Sequence, residues 1–246
     1  MDIQKKKDKE YLLKREKKLP KITKKKSIRH LVDNFPKYAN RHEVAYFLAR
    51  NFLFEKIINT RGSIIELGVG EGSGLLSWAQ ISAIREPLGV WRHIYGFDTF
   101  SGFPSVHKKD KITKKKKQWK IGDIKFKTYE ELNQCIDLLD RSPYPPRFPK
   151  VELIKGDFLK TGKKFIKDNP HLLISLLFID MDIYEPTREA LKLFLPRMPK
   201  GSVIAFDELN HHKWPGETLA FLDAVNCNKI ELKTVEYMPR VSYAIL

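Results

Sequence analysis

The sequence has little cysteine and no long apolar run, and each shortage excludes a class of protein. Its 246 residues include only two cysteines, Cys135 and Cys227, too few for a disulfide scaffold or a CxxC metal site. The longest uncharged apolar run, Leu172 to Ile179, is far shorter than the roughly 20 residues that span a bilayer. No apolar stretch follows the lysine-rich beginning, so we expect no secretory signal peptide. These shortages predict a soluble, cytoplasmic protein without a membrane partner.

The composition is that of a folded protein. Hydrophobic residues make up 42% and aromatic residues 11% of the chain, which is enough for a buried core and excludes wholesale disorder. The length suits one α/β domain, with room for a small appendage.

The net charge of +16 is concentrated in two segments. Residues 1–27 contain 12 basic and 4 acidic residues, and residues 107–127 contain 10 lysines and 2 acids, whereas the rest of the chain is balanced. We predict a flexible lysine-rich tail or frayed helix at 1–27 and one domain at 28–246 that carries a basic insertion. Two interpretations stay open: the lysines bind nucleic acid or another anionic surface, or they are solvated and the insertion is mobile.

Segments typical of strands and of helices alternate from residue 40 onward. Short apolar runs that end at glycine or an acid indicate buried strands, and apolar residues spaced near 3.6 indicate helices. We predict strands at 63–67, 93–97, 150–154, 172–179, 202–206, 229–236 and 241–246, and helices at 40–58, 75–85, 129–139, 185–195 and 216–226. This pattern predicts a Rossmann-like α/β fold, in which a mostly parallel sheet of seven strands carries helices on both faces.

Acidic residues stand at the carboxyl ends of the predicted strands. They are Asp98, Asp157, Asp180 and the pair Asp207–Glu208. Ligands of such sheets bind beyond the carboxyl ends of the strands. The acids therefore predict the rim of an active site, although capping of the following helices would account for one or two of them.

A glycine-rich turn follows the first strand, with the sequence ELGVGEGSG at residues 66–74. Glycines let a ligand approach the backbone and permit positive φ. Ser73 stands where the dinucleotide fingerprint requires its third glycine, which disfavours a nicotinamide cofactor. The turn resembles motif I of class I S-adenosylmethionine (SAM) methyltransferases, E/D-x-G-x-G-x-G. Glu66 suits a cofactor that carries an ammonium group and no pyrophosphate; a purely structural turn is the alternative.

The resemblance to motif I implies SAM as the cofactor. A carboxylate at Asp98 can accept hydrogen bonds from both ribose hydroxyls, and Asp157 with Phe158 could hold the adenine. The predicted cofactor-binding residues are Glu66, Gly68, Gly70, Gly72, Ser73, Asp98, Thr99, Asp157, Phe158 and Asp180.

A second group of acids lies at the ends of two strands that are expected to be neighbours. Asp180-Met181-Asp182 follows the most apolar strand, and Asp207-Glu208 follows the next. Carboxylates placed so close together repel one another unless they are protonated or neutralised. Mg²⁺ would neutralise them, and it would also lower the pKa of a substrate hydroxyl. The alternative is an acidic rim that binds substrate hydroxyls without a metal.

The segments ELGVGEGSG, GFDTFSGFP, VELIKGDFLKT and FIDMDIYEPTREALKLFLPRMPKGSVIAFDELN together resemble the macrocin O-methyltransferase family, over roughly residues 33–246. That family methylates sugar or phenolic hydroxyls. The resemblance implies the class I methyltransferase fold with an antiparallel last strand, Asp180 as general base and metal ligand, and Asp207 and Glu208 as further ligands. The chain reads Asp-Glu-Leu at 207–209 where the family usually reads Asp-Asp-Tyr, whereas Trp214-Pro215-Gly216 matches its usual Trp-x-Gly.

Several further residues are weaker candidates. His211 could act as a base, as could His212, although histidines in an exposed loop are often plain surface residues. Tyr184 and Glu185 could shape the acceptor pocket or only cap a helix, and Trp214 could stack on a sugar or pack its loop. The resemblance also implies that Arg41 and His42 lie near the substrate.

The sequence thus predicts a SAM-dependent, Mg²⁺-assisted O-methyltransferase that acts on a hydroxyl of a sugar or glycosylated small molecule. The resemblance further implies that it can form a homodimer. A nucleic-acid methyltransferase recruited by the lysines is one alternative. Amino-methylating enzymes of that kind have [N/D/S]-P-P-[Y/F/W] after the fourth strand, where this chain has Asp-Met-Asp-Ile at 180–183. The other alternative is a SAM-binding protein without catalytic activity.

Overall fold

One seven-stranded sheet organises the chain after residue 60. The computed structural model describes residues 2–112, 118–140 and 150–246. The strands are β1 (Ser63–Leu67), β2 (Ile94–Asp98), β3 (Val151–Lys155), β4 (Ile174–Ile179), β5 (Val203–Phe206), β6 (Lys233–Val235) and β7 (Met238–Ile245). Their order is β3-β2-β1-β4-β5-β7-β6, and β7 is antiparallel to both of its neighbours. The predicted fold, mostly parallel with an antiparallel last strand, is confirmed.

The described residues form eight α-helices. They are α1 (Asp2–Thr23), α2 (Ile28–Asp33), α3 (Arg41–Ile57), α4 (Ser73–Arg85), α5 (Tyr129–Asp140), α6 (Phe158–Asp168), α7 (Tyr184–Phe194) and α8 (Pro215–Ala224). Short 3₁₀ helices lie at Phe35–Lys37, Lys108–Asp110, Leu195–Arg197 and Cys227–Lys229.

The central strands β1, β4 and β5 are buried along their whole length because helices cover both faces of the sheet. Leu177 and Ile179 of β4 belong to a buried cluster with Phe194 of α7. Phe178, which lies between them, points to the other face and contacts the ring of Trp78 in α4, with 5.9 Å between ring centroids. This double cover fixes the strand ends, and with them the residues that follow each strand.

Three segments differ from the elements predicted from the sequence. Helix α2 was not predicted. Helix α6 was not predicted either, although its apolar residues recur at helical spacing, because the lysines among them obscure that pattern. The strand predicted at 229–236 is only three residues long in β6, since Cys227–Lys229 forms a 3₁₀ turn.

Residues 1–46 form a compact unit of their own, and residues 47–246 form a second one. Within the first unit α1 is helical, and Arg15 of this helix pairs with Glu43 at 3.3 Å. Flexibility of the lysine-rich tail remains a prediction. Among the described helices none is long and apolar enough to cross a membrane. Cys135 and Cys227 are both free thiols.

Candidate active site

The parallel strands bring the predicted acidic residues to one edge of the sheet. Ile179 of β4 pairs with Leu67 of β1 and with Phe206 of β5, so the residues that follow these strands are neighbours. Hydrogen bonds continue past the strand ends. The amide of Asp180 donates to the Leu67 carbonyl at 2.8 Å, and the amide of Asp207 donates to the Ile179 carbonyl at 3.1 Å.

A cavity of about 320 Å³ opens at this edge of the sheet. Eight of the residues predicted from the sequence to bind the cofactor line it: Glu66, Gly68, Gly70, Ser73, Asp98, Thr99, Phe158 and Asp180. Gly72, Asp157, Asp207, Glu208 and His211 do not line it. These eight residues therefore share one cavity, and their contact with a cofactor stays a prediction.

Two glycines of the turn after β1 let separate parts of the chain approach one another. Gly68 has φ +89°, and a Cβ atom there would lie 1.9 Å from the carbonyl oxygen of Asp180. Gly74 opens α4, and a Cβ atom there would lie 2.0 Å from Oε1 of Glu66. Glycine is therefore required at both positions for packing, and the space that it leaves exposes backbone to the cavity.

Glu66 is the most deeply buried acid of the cavity wall, with 2% of its surface exposed. Burial raises the pKa of its carboxyl to about 7, against the opposing effect of the nearby Arg50 guanidinium. Its Oε2 atom is buried and has no hydrogen-bond partner among the described residues. A buried acceptor without a partner is costly, so this atom is suited to receive a donor from a ligand.

Asp98 fixes the glycine turn to the end of β2. Its Oδ2 accepts a hydrogen bond from the Gly70 amide at 2.8 Å, and its Oδ1 accepts one from the Phe100 amide at 2.7 Å. Thr99 donates through its hydroxyl to the Gly102 carbonyl at 2.7 Å. Since each carboxylate oxygen has a second lone pair, Asp98 can still accept hydrogen bonds from a ligand in the cavity.

Three predicted cofactor residues have clear packing roles. A Cβ atom at Gly72 would lie 2.1 Å from a methyl group of Leu132 in α5, so this glycine accommodates α5. Asp157 caps α6, because its carboxylate accepts a hydrogen bond from the Leu159 amide at 3.0 Å. Phe158 lines the cavity and packs edge-on against Phe97, with 5.4 Å between ring centroids. Their contact with a cofactor remains a prediction, best supported for Phe158.

Acidic side chains crowd the ends of β4 and β5. Burial, and then the carboxylates of Asp207 and Asp182, raise the pKa of Asp180 well above its usual value. Burial and Glu208 do the same to Asp182, whose φ of +63° is a strained conformation for a residue with a side chain. Glu217 of α8 lies behind them with 1% of its surface exposed, and burial also raises its pKa.

Arg240 of β7 is the cation that contacts this group. Its Nη2 lies 2.6 Å from Oδ2 of Asp207 and also forms an ion pair with Oε1 of Glu208. In the described part of the chain, no three acidic, histidine or cysteine side chains converge on a point that could hold a metal ion. Two of the three residues predicted to bind Mg²⁺, Asp207 and Glu208, thus contact a guanidinium in the structure, and the Mg²⁺ site itself stays a prediction.

His211 lies beside this group and outside the cavity lining. Its Nδ1 is 3.8 Å from Oε2 of Glu208, and neither atom has a hydrogen-bond partner among the described residues. Burial lowers the pKa of His211, and the neighbouring His212 and Lys213 lower it further. A neutral imidazole suits a base, but its role in the reaction remains a prediction.

The basic insertion is attached to the domain on both sides of residues 113–117, which lie outside the described residues. Asp110 accepts hydrogen bonds from the Tyr184 amide at 2.7 Å and from the His107 amide at 2.6 Å. Trp119 stacks on Trp214 with 4.1 Å between ring centroids and 7° between ring planes. Tyr184 and Trp214 thus hold the insertion, and the predicted mobility of its middle remains a prediction.

The end of the insertion forms part of the cavity wall. Ile124 and Phe126 line the cavity, and the Phe126 ring faces Gly70. The hydroxyl of Thr128 donates to the Gly70 carbonyl at 2.8 Å. A segment that the sequence marks only by its lysines therefore contacts the glycine turn directly.

The residues of this region that sequence reasoning missed include Arg50, Phe126, Glu217 and Arg240. The signal for Arg50 was a charge on the apolar face of α3, and for Arg240 a charge in an otherwise apolar last strand. Glu185, a weaker candidate, accepts a hydrogen bond from the Ser105 hydroxyl at 3.2 Å. Arg41 and His42 lie at the start of α3, in the unit formed by residues 1–46.

The sequence profile of the macrocin O-methyltransferase (TylF) family matches residues 49–235, which include every strand up to β6 and the whole cavity lining. The chain belongs to this family. It is therefore a methyltransferase, as the resemblance of its motifs implied. No curated protein sequence matches it.

Solved structures agree with the family assignment. The chain is similar to CalS11, a calicheamicin methyltransferase, with 29% identity and a TM-score of 0.85 over 95% of this chain and 91% of CalS11. The apo structure of CalS11, described as a TDP-rhamnose 3'-O-methyltransferase, gives 28% identity and a TM-score of 0.79 over 95% and 93% of the two chains. The O-methyltransferase NovP shares the fold, at 19% identity and a TM-score of 0.57 over 81% and 78%.

Proposed function

We propose that this member of the TylF family is a SAM-dependent O-methyltransferase that acts on a hydroxyl of a sugar or glycosylated small molecule. The observation that carries the proposal is the buried, unpartnered Oε2 of Glu66 in a cavity whose floor is the glycine turn. SAM supplies an electrophilic methyl group when it is bound. The similarity to CalS11, described as a TDP-rhamnose 3'-O-methyltransferase, supports the acceptor class.

The residues of the cavity have distinct tasks in this proposal. Glu66 accepts hydrogen bonds from the ammonium group of the cofactor, and its ionised form is required for this contact. Asp98 accepts hydrogen bonds from the ribose hydroxyls, while its existing bonds to Gly70 and Phe100 hold it in place. Phe158 offers an apolar ring at the adenine end of the cavity.

Asp180 is the proposed general base. It lies between the glycine turn and the acidic group, and the raised pKa of its carboxyl makes it a stronger base than an ordinary aspartate. It takes the proton from the acceptor hydroxyl, and the oxygen thereby becomes the nucleophile. Mg²⁺, which the sequence predicted, has no part in this proposal, because two of the three residues assigned to it, Asp207 and Glu208, contact Arg240.

A binding and turnover experiment tests this function. We expect S-adenosylhomocysteine to bind the wild-type protein with micromolar affinity in calorimetry, and we expect methyl transfer from SAM to TDP-deoxysugars. Asp180→Asn should retain S-adenosylhomocysteine binding and lose about 10²–10⁴-fold in turnover, the usual contribution of a general base. Failure of the wild-type protein to bind S-adenosylhomocysteine would refute the proposal, and binding without turnover on any sugar would refute its acceptor class.

A further inference from the structure

Arg240 stands where the fold brings the last long strand beside the acidic pair. In the antiparallel pairing of β7 with β5, Ser242 is opposite Phe206. Glu208 lies two residues beyond Phe206 and Arg240 two residues before Ser242, so both side chains are on the face that these partners share. The ion pair of Arg240 with Glu208 follows from this register, and Asp207, which precedes Glu208, pairs with the same nitrogen of Arg240.

The two carboxylates need a positive charge at this position. The side chain of Asp207 is 3% exposed and that of Glu208 is 6% exposed, so water contributes little to their solvation. Two adjacent buried carboxylates without a cation would repel each other and would lack solvation. Arg240, whose side chain is 46% exposed, extends from the surface to meet both.

The guanidinium and a divalent cation exclude each other here. Mg²⁺ binds oxygen ligands at about 2.0–2.1 Å. Nη2 of Arg240 already lies 2.6 Å from Oδ2 of Asp207 and contacts Oε1 of Glu208. A cation that bound these same two oxygens would overlap with Nη2 and would also be repelled by its charge.

We infer that Arg240 takes the place of a divalent cation in this protein: it holds Asp207 and Glu208 together and neutralises them, so the site binds no metal. Arg240 is a positioning residue, since it acts through these two carboxylates. The charge compensation is argued from the geometry alone. It has the consequence that methyl transfer continues in the presence of a chelator, and this consequence rests on the proposed function.

Titration of the full-length protein with Mg²⁺ and with Mn²⁺, by calorimetry and by thermal unfolding, tests the inference. We expect no heat of binding and no shift in unfolding temperature for the wild-type protein or for Arg240→Lys, which keeps the charge. Arg240→Met should unfold at a lower temperature, and divalent cations should raise that temperature again. We expect Arg240→Met to bind Mn²⁺ at least tenfold more tightly than the wild type does, which corresponds to about 1.4 kcal/mol of binding free energy.

The wild-type titration alone can overturn the inference. One Mg²⁺ bound per wild-type chain, and lost in Asp207→Asn, would show that the carboxylates bind metal despite Arg240. If Arg240→Met does not fold, a triple variant that adds Asp207→Asn and Glu208→Gln should fold, because it has no unpaired carboxylates. If the triple variant does not fold either, charge compensation by Arg240 is contradicted. S-adenosylhomocysteine binding, measured on the same samples, tests the proposed function separately.

Discussion

Glu66 offers a prediction in which stability and ligand binding change in opposite directions. Its carboxyl has an ordinary pKa of 4.5 and a pKa of about 7 in the folded protein, chiefly because it is buried. Between these two pH values the folded state binds more protons than the unfolded state, so the free energy of unfolding falls as the pH rises. At about 1.4 kcal/mol per pH unit, Glu66 alone removes about 3 kcal/mol across this interval.

Replacing Glu66 with glutamine removes this titration while keeping the shape of the side chain. We expect the difference in the free energy of unfolding, Glu66→Gln minus wild type, to grow by about 3 kcal/mol in favour of the variant between about pH 4 and pH 8. Denaturant unfolding at several pH values measures it. Glu71→Gln is the matched control, since Glu71 lines the same cavity but is exposed.

Binding of S-adenosylhomocysteine should show the reverse dependence. If the ammonium group binds only the ionised carboxylate, the wild-type Kd should increase by about tenfold from pH 8 to pH 6. Glu66→Gln should bind about 10–100-fold more weakly at pH 8, the cost of losing a charge-assisted hydrogen bond, and its Kd should not vary over this range. A wild-type Kd that stays constant from pH 6 to pH 8 would refute the reasoning.

Three further changes test the packing around the cavity. Gly74→Ala should abolish S-adenosylhomocysteine binding because its Cβ atom would meet Glu66, whereas Gly122→Ala, which faces open space, should cost only about 1 kcal/mol of backbone strain. Asp110→Ala should lower the free energy of unfolding by about 3 kcal/mol by removing two hydrogen bonds to a carboxylate, and a loss below about 0.5 kcal/mol in denaturant unfolding would contradict this. Trp119→Ala should lose about 1 kcal/mol from ring stacking beyond its buried area, and Trp119→Phe should retain most of it.

The strands and the glycine turn could be predicted from the sequence because local patterns determine them. In most α/β proteins an apolar run such as that of β4 predicts a buried strand, and glycines such as those at 68–74 predict a tight turn. The strand β1 was likewise placed correctly at Ser63–Leu67. Helix α6 was missed because most of its side chains are lysine or small polar residues, and tertiary contacts of Phe158 and Phe165 stabilise it.

The ion pairs at the end of β5 could not be predicted in the same way. Asp207 and Glu208 indicate a cation, but nothing local distinguishes Mg²⁺ from a guanidinium. Arg240 follows Glu208 by 32 positions in the chain, and only the register of β7 on β5 brings the two together. The fold is therefore accessible from local patterns, whereas charge compensation depends on contacts between distant segments.

The hydrogen bond from Thr128 to the Gly70 carbonyl has a consequence for protein engineering. An enzyme with separate modules for its donor and its acceptor could receive a new specificity loop without change to its donor site. Here Phe126 near the end of the basic insertion, and Thr128 directly after the insertion, are part of the wall around the glycine turn. Exchange of this insertion between family members would therefore alter both sites together, so a chimera designed for a new acceptor must keep residues 124–128 from its recipient.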